Sequence, residues 1–265
     1  MVHWVLQDKI TSCEDLKALQ KAFKKHKCTY QVVQVIPFDD ELPDITPTCQ
    51  HVIAYGSTIF TQRVYHDGSW APGVYFDEDK FKPSYWNSLL GNHSLNRAGS
   101  VVTLGELPEK MADGKPRFVR PNDDSKLFPG QVLDITELIP VVRFGDPDIP
   151  IWLALPVNIK TEWRLFVVNH QIVTGSQYRK NGRLNVKKSV PKTAMNFAQQ
   201  MVVRLCTLGG TYVLDVCETA DAFKVVEVGC LNAAGFYACD INKIVKAVVD
   251  MELTSKGQSG SLVYN

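Results

Sequence analysis

The sequence predicts a small α/β unit with a parallel sheet followed by a larger α+β region, and three observations lead there. The first third alternates short β-branched runs with an amphipathic stretch, the remainder carries apolar runs paired across turn residues, and the composition is that of a folded chain. Of 265 residues, 45% are hydrophobic and 22% charged, which excludes disorder over most of the length. Lys plus Arg (29) nearly cancel Asp plus Glu (28), so a net charge of +1 gives no global field for nucleic acid or an anionic membrane. Any anion site must be local. No apolar run reaches the roughly 18 residues of a membrane span, and MVHWVLQDKI lacks the basic start and apolar stretch of a signal peptide. A cytosolic protein without membrane or nucleic-acid partners is expected.

Taken in order, residues 2–6 form a short apolar run, residues 13–27 carry Leu16, Leu19, Ala22 and Phe23 at helical spacing, and residues 30–36 and 51–55 read as strands. Residues 66–98 are rich in Gly, Pro, Trp and Tyr with weak periodicity and read as a connector, with a domain boundary near Leu95. The aromatic residues there (Trp70, Tyr75, Phe76, Tyr85, Trp86) form either an exposed contact surface or interdomain core. Strands follow at 101–104, 117–120 and 151–155, with a polar loop over 121–130. The runs 162–168 and 172–178 flank a three-residue connection, Asn169 to Gln171, and a second hairpin pairs 212–219 with 223–229. Residues 193–206 and 240–253 read as helices, the latter capped by Asp240, and the small polar tail from 255 as mobile. Seven cysteines without C-x-x-C and six scattered histidines suggest mostly small core thiols and no zinc site. A bound metal would be a hard ion on oxygen ligands.

The second hairpin carries the sharpest chemical signal. A three-residue turn centred on Asp221 sets Asp215 opposite Glu227, with Cβ atoms about 5 Å apart. Two such charges repel by roughly 3 kcal/mol at an effective dielectric of about 20. A divalent cation turns that cost into binding energy. The alternatives are that each carboxylate has its own Arg or Lys partner, or that a two-residue turn moves the two onto opposite faces. Arg120, Ser125, Lys126 and Gly130 supply cations and a close-approach glycine of the kind a polyphosphate needs, or else a solvated surface turn. In EWRLF, Arg164 lies in an apolar strand, where a guanidinium requires an anionic partner. Of the cations in SQYRKNGRLNVKK, Arg179 is expected to face a site while the others lie on a solvated loop.

The order of these parts, FVRP and a loop, IWLAL, EWRLFVV with its hairpin partner, then YVLDV and VVEVGCLN, resembles an ATP-grasp enzyme over nearly the whole chain. The similarity is strongest to a divergent, often phage-encoded clade in which Arg replaces a nucleotide-binding Lys, related to the cell-division-cycle assembly proteins of eukaryotic translation initiation. The resemblance implies an ATP-grasp fold (α+β) over 95–255, preceded by a small α/β pre-ATP-grasp domain and aromatic connector over 1–94, with a tail at 256–265. It implies ATP and Mg²⁺ as cofactors, with Arg120 on the phosphates, Lys126 on a mobile loop over them, and Ala154 and Leu155 offering backbone groups to adenine. It places Glu162 at the ribose or hinge, and Arg164 and Arg179 on the phosphates or an acyl phosphate. Asp215 and Glu227 match the paired magnesium carboxylates. Gly229 stands where the family's E-x-N pattern has Asn, and Asn232 is implied in its place.

These residues imply an ATP- and Mg-dependent carboxylate–amine ligase that releases ADP and phosphate and acts on a carboxylate and an amine, one of them a peptide or protein in some members. The departures from the family pattern, together with the aromatic connector, also fit a Mg-ATP-binding assembly protein with little or no ligase activity.

Overall fold

The computed structural model describes residues 1–36, 41–123 and 127–254. Its first part comprises β1 (Val2–Gln7), α1 (Cys13–Lys25), β2 (Thr29–Val33), β3 (His51–Tyr55), α2 (Thr58–Asp67) and β4 (Pro72–Gly73). The strands form a sheet of order β2-β1-β3-β4 in which every pairing is parallel. Ser12 starts α1 by accepting from the Asp15 amide at 3.1 Å, and acidic first-turn and basic last-turn residues complement its dipole. Leu19, Ala22 and Phe23 form its buried face. The helix α2 was not expected from periodicity, yet Ser57, read as the end of a strand, caps it by accepting from the Phe60 amide at 3.2 Å.

The connector contains α3 (Pro83–Leu90), which opens on Pro83 in its first turn and buries Trp86 and Leu90. Trp86 is core, and Trp70, Tyr75, Phe76 and Tyr85 are half-buried, so these aromatics do not make an exposed surface. Then come β5 (Ser100–Thr103), α4 (Leu107–Lys110), β6 (Arg117–Pro121), β7 (Gln131–Leu133), α5 (Ile135–Phe144) and β8 (Pro150–Ala154). The four strands form an antiparallel sheet of order β5-β8-β6-β7. The internal Pro140 conceals α5 from a propensity reading, but Asp134 accepts from the amides of Thr136 and Glu137 while Glu137 accepts from the Asp134 amide, a reciprocal cap.

The last part holds β9 (Thr161–Val168), β10 (Gln171–Lys180), β11 (Arg183–Lys187), α6 (Lys192–Arg204), β12 (Tyr212–Glu218), β13 (Phe223–Gly229) and α7 (Ile241–Thr254). Its sheet is antiparallel with order β11-β10-β9-β12-β13. Here the structure corrects two connections and one loop. Gln171 pairs with Val168, so the β9–β10 turn is the two residues Asn169 and His170, both at positive φ. The cationic run after Tyr178 continues as a hairpin, because Asn181 and Gly182 adopt φ of 48° and 73° and return the chain as β11. The β12–β13 turn has two central residues, Ala220 and Asp221, with the Thr219 amide donating to the Ala222 carbonyl at 2.9 Å.

Two apolar cores flank the five-stranded sheet. On one face, Phe166, Val168 and Val213 pack with α7 against Trp4, Phe23 and Ile53 of the first part. On the other, Trp163, Leu165 and Leu214 pack with α6 and with Phe81, Trp86 and Leu90. A third core lies beneath the four-stranded sheet around Val119, Leu104 and Met111. All seven cysteines are free thiols, but only Cys217, Cys230 and Cys239 are buried, fewer than expected. No helix among the described residues is long and apolar enough to cross a membrane. The expected tail from 255, like Ser125 and Lys126, lies outside the described residues.

Candidate functional site

Between the two antiparallel sheets lies a cleft of about 590 Å³. The four-stranded sheet and its loop contribute Phe118, Arg120, Phe128 and Gly130; the five-stranded sheet contributes Glu162, Arg164, Tyr178, Arg179, Asp215 and Glu227. Gly130 is required by close approach, since a Cβ there would lie 2.9 Å from the Phe118 ring. The segment after β8 adds Val157 and Ile159.

The strand register explains how the charged groups meet. Asp215 on β12 is flanked by Arg164 on β9 and Glu227 on β13, so all three belong to one row across the sheet. The opposition of Asp215 and Glu227 is as expected, but its cause differs. A two-residue turn alone would have moved them apart; an extra residue, Val226, between the Glu227 and Val225 pairings restores the register. A second register shift, between Gln177 and Arg179, turns both Tyr178 and Arg179 toward the cleft, with Arg179 paired to Glu162.

Each carboxylate is held by an arginine. Arg164 donates from Nε and Nη2 to the two oxygens of Asp215 at 2.9 and 2.8 Å, a bidentate fork to a carboxylate that is only 2% exposed. Its Nη1 donates to the Gly235 carbonyl at 3.2 Å, and its Cζ lies 5.0 Å from the Tyr237 ring and 5.6 Å from that of Tyr178. The two rings stack with centroids 4.9 Å apart, and Tyr237 adopts a φ of +50°, uncommon for a side chain of its size. Arg120 donates to Glu227 at 3.1 Å and lies 6.0 Å from the Trp86 ring. Arg179 is 3.7 Å from Glu162, which also accepts from the Tyr178 hydroxyl at 2.7 Å. The alternative of private arginine partners therefore holds together with the opposed geometry, and the bare repulsion does not arise.

Burial disfavours the charge on Arg164, but Asp215 overrides it and holds the guanidinium above the usual arginine range. Burial pushes the Glu162 carboxyl up; Tyr178 and Arg179 oppose the rise, while Asp215 and Glu227 add to it. The Tyr178 hydroxyl is also raised well above its usual range, chiefly by burial.

Three expected residues fall elsewhere. Ala154 is buried opposite Phe118 in the β6–β8 ladder and Leu155 is 60% exposed; neither lines the cleft, where Val157 and Ile159 take that edge. Asn232 is fully buried away from the carboxylate pair: its Nδ2 donates to the Ala54 carbonyl at 2.6 Å and its Oδ1 accepts from the Tyr75 amide at 2.8 Å. It ties β3 to the connector instead of offering a ligand. Tyr178, Tyr237 and Trp86 are the cleft's unanticipated aromatic contacts, and only the bulge and the folded path of the 230s bring the first two onto Arg164. Among the described residues no group of three or more His, Cys, Asp or Glu side chains is placed to hold a metal ion by itself.

Two antiparallel sheets closing on an arginine-rich cleft, behind a parallel α/β unit, define an ATP-grasp protein. Residues 54–248 match the ATP-grasp domain, R-to-K clade family 3, and the chain belongs to that family. Comparison with curated protein sequences returns no match. Among solved structures, a RimK domain ATP-grasp protein from Sphaerobacter thermophilus superimposes with a TM-score of 0.65 at 17% identity, over 95% of this chain and 100% of that one. The D-alanine–D-alanine ligase of Bacillus anthracis gives 0.63 at 12% identity over 98% and 100%. The ATP-grasp ligase PsnB, complexed with the precursor peptide PsnA2 and AMPPNP, gives 0.56 at 11% identity over 95% and 96%.

Proposed function

We propose that this protein is an ATP-dependent, ADP-forming carboxylate–amine ligase. The observation that carries the reading is the convergence of Arg120, Arg164 and Arg179 on one cleft with the opposed pair Asp215 and Glu227. Magnesium commonly takes one or two carboxylates and completes its shell with phosphate oxygens and water, so a two-carboxylate site fits a metal that arrives with a nucleotide. When bound there, the ion would neutralise charge on the transferring phosphoryl group.

The chain's own residues do the rest. Arg120 and Arg164 exchange their carboxylate partners for phosphate oxygens, leaving Asp215 and Glu227 free for the cation. Val157 and Ile159 cover the base, and Glu162 accepts from a ribose hydroxyl. A substrate carboxylate attacks the γ-phosphorus in line, forming an acyl phosphate and ADP; an amine then displaces phosphate to leave an amide. Arg164 and Arg179 hold the charge that develops on the oxygens.

A binding protein with little turnover is favoured by one observation, the commitment of Asn232 to Ala54 and Tyr75, with Gly229 two residues after Glu227. Melting curves with ATP plus Mg²⁺ and with ATP plus chelator test the site, and ADP release with pools of amino acids and peptides tests the turnover. Equal stabilisation with and without metal would overturn the proposed metal site. Metal-dependent binding without ADP release from any pool would favour the assembly reading.

A further inference from the structure

Between Glu162 and Asp215 the chain contains eight Arg and Lys residues and not one Asp or Glu, although its overall net charge is only +1. The centre of that stretch is β11, the outer strand of the five-stranded sheet, bonded to β10 on one side and exposed at every residue. Among the described residues Lys180, Arg183, Lys187 and Lys188 make no ion pair. On this strand Leu184 is 70% and Val186 44% exposed. Leu184 pairs with Arg179, which pairs in turn with Glu162, so this apolar side chain stands on the sheet face that forms the cleft. The edge is anchored, because the Asn181 amide at the hairpin tip donates to the Lys160 carbonyl at 2.7 Å.

An exposed edge strand presents unpaired backbone groups, and proteins commonly blunt such edges with charge. Here charge and exposed aliphatic groups occur together. We infer that β11 docks an acidic polypeptide segment, which adds to the sheet as an extended strand. Its carboxylates meet Lys180, Arg183, Lys187 and Lys188, its apolar side chains rest on Leu184 and Val186, and the strand leads past Arg179 into the cleft. Five residues of β11 accommodate about 17 Å of extended chain. A polypeptide is favoured over nucleic acid because β11 has no aromatic side chain on which a base could stack. This assignment rests on the ligase reading in naming the docked segment as the source of the carboxylate.

The probe is a fluorescein-labelled octapeptide of alternating Glu and Val, titrated by anisotropy against the full chain without nucleotide. It should bind, and weaken as salt rises. Arg183→Glu with Lys187→Glu should lower its affinity about tenfold while leaving the melting temperature unchanged. Leu184→Ser should weaken it as well. A probe N-methylated at alternate residues, which cannot pair with an edge, should bind far less. No binding, binding indifferent to these protein variants, full binding of the N-methylated probe, or tighter binding of a labelled oligothymidylate would each overturn the docking site. Stabilisation by Mg-ATP is measured separately, so peptide binding without it overturns the nucleotide reading alone, and the converse overturns only the docking.

Discussion

Asp215→Asn sets two opposing electrostatic effects against each other. Opposed carboxylates at about 5 Å repel by roughly 3 kcal/mol at an effective dielectric of about 20, so neutralising one should stabilise a protein in which nothing else touched them. In this cleft Asp215 instead closes a bidentate fork with Arg164, and Glu227 is engaged by Arg120. Removing one partner of a buried pair typically costs about 3 to 5 kcal/mol. The loss here lies toward the lower end, because the Arg164 side chain retains 17% exposure, keeps the Gly235 carbonyl and two tyrosine rings, and finds one remaining acceptor on Asn. A net destabilisation of about 2 to 3 kcal/mol follows, or a fall of about 5 to 10 °C in melting temperature for a chain of this size. Differential scanning fluorimetry without ligand reads it directly, and urea titration should show a lower midpoint at unchanged slope. The double change Arg164→Leu with Asp215→Leu should recover most of the loss, since neither charge is stranded. If Asp215→Asn alone melts at or above wild type, the fork does not stabilise the fold and the argument fails.

Two further outcomes are expected. Arg120→Lys keeps a cation within reach of Glu227 but loses the planar fork over Trp86, so calorimetry should show ATP affinity reduced several-fold with the melting temperature nearly unchanged; a normal affinity would remove Arg120 from the phosphate site. Glu162 holds its proton above the ordinary glutamate range, so its contribution to stability is fully present below about pH 4.3 and is lost as pH rises through the folded-state value. Glu162→Gln should therefore flatten that part of the stability–pH curve and raise stability at pH 7 relative to pH 5, and an unchanged pH profile would refute the assignment.

The strands were legible where alternation or β-branching dominated, and 51–55 and 223–229 match their observed bounds. Helix α5 was obscured because Pro140 suppresses helix propensity more visibly than Asp134 and Glu137 announce a cap. The edge strand β11 was read as loop because cations mask the short alternation of Leu184 and Val186, although Asn181-Gly182 is a hairpin signal. At the site, the row Arg164, Asp215, Glu227 could be anticipated from spacing. The bulge at Val226 that makes the spacing work could not, because two compensating one-residue shifts leave the sum of paired positions unchanged. Asn232 shows the opposite failure, for its place near the motif says nothing of the two backbone groups that claim its amide.

The pairing of the cleft's charges bears on how a nucleotide and a metal would enter. Arg120, Arg164 and Arg179 are matched by Glu227, Asp215 and Glu162, so the folded protein has no large local excess of either sign among these six groups. A polyphosphate drawing Arg120 and Arg164 away would leave two carboxylates exposed to its own negative charge. A cation drawing Asp215 and Glu227 away would leave two guanidinium groups buried and unpaired. Either exchange alone strands charge in a site where stranded charge is expensive, whereas both together conserve the number of opposed pairs. Under the proposed function, cooperation between Mg²⁺ and ATP therefore follows from the arginine–carboxylate pairing itself. It does not require a separate conformational switch, because each group changes partner within the same row of the sheet and the facing strand β6.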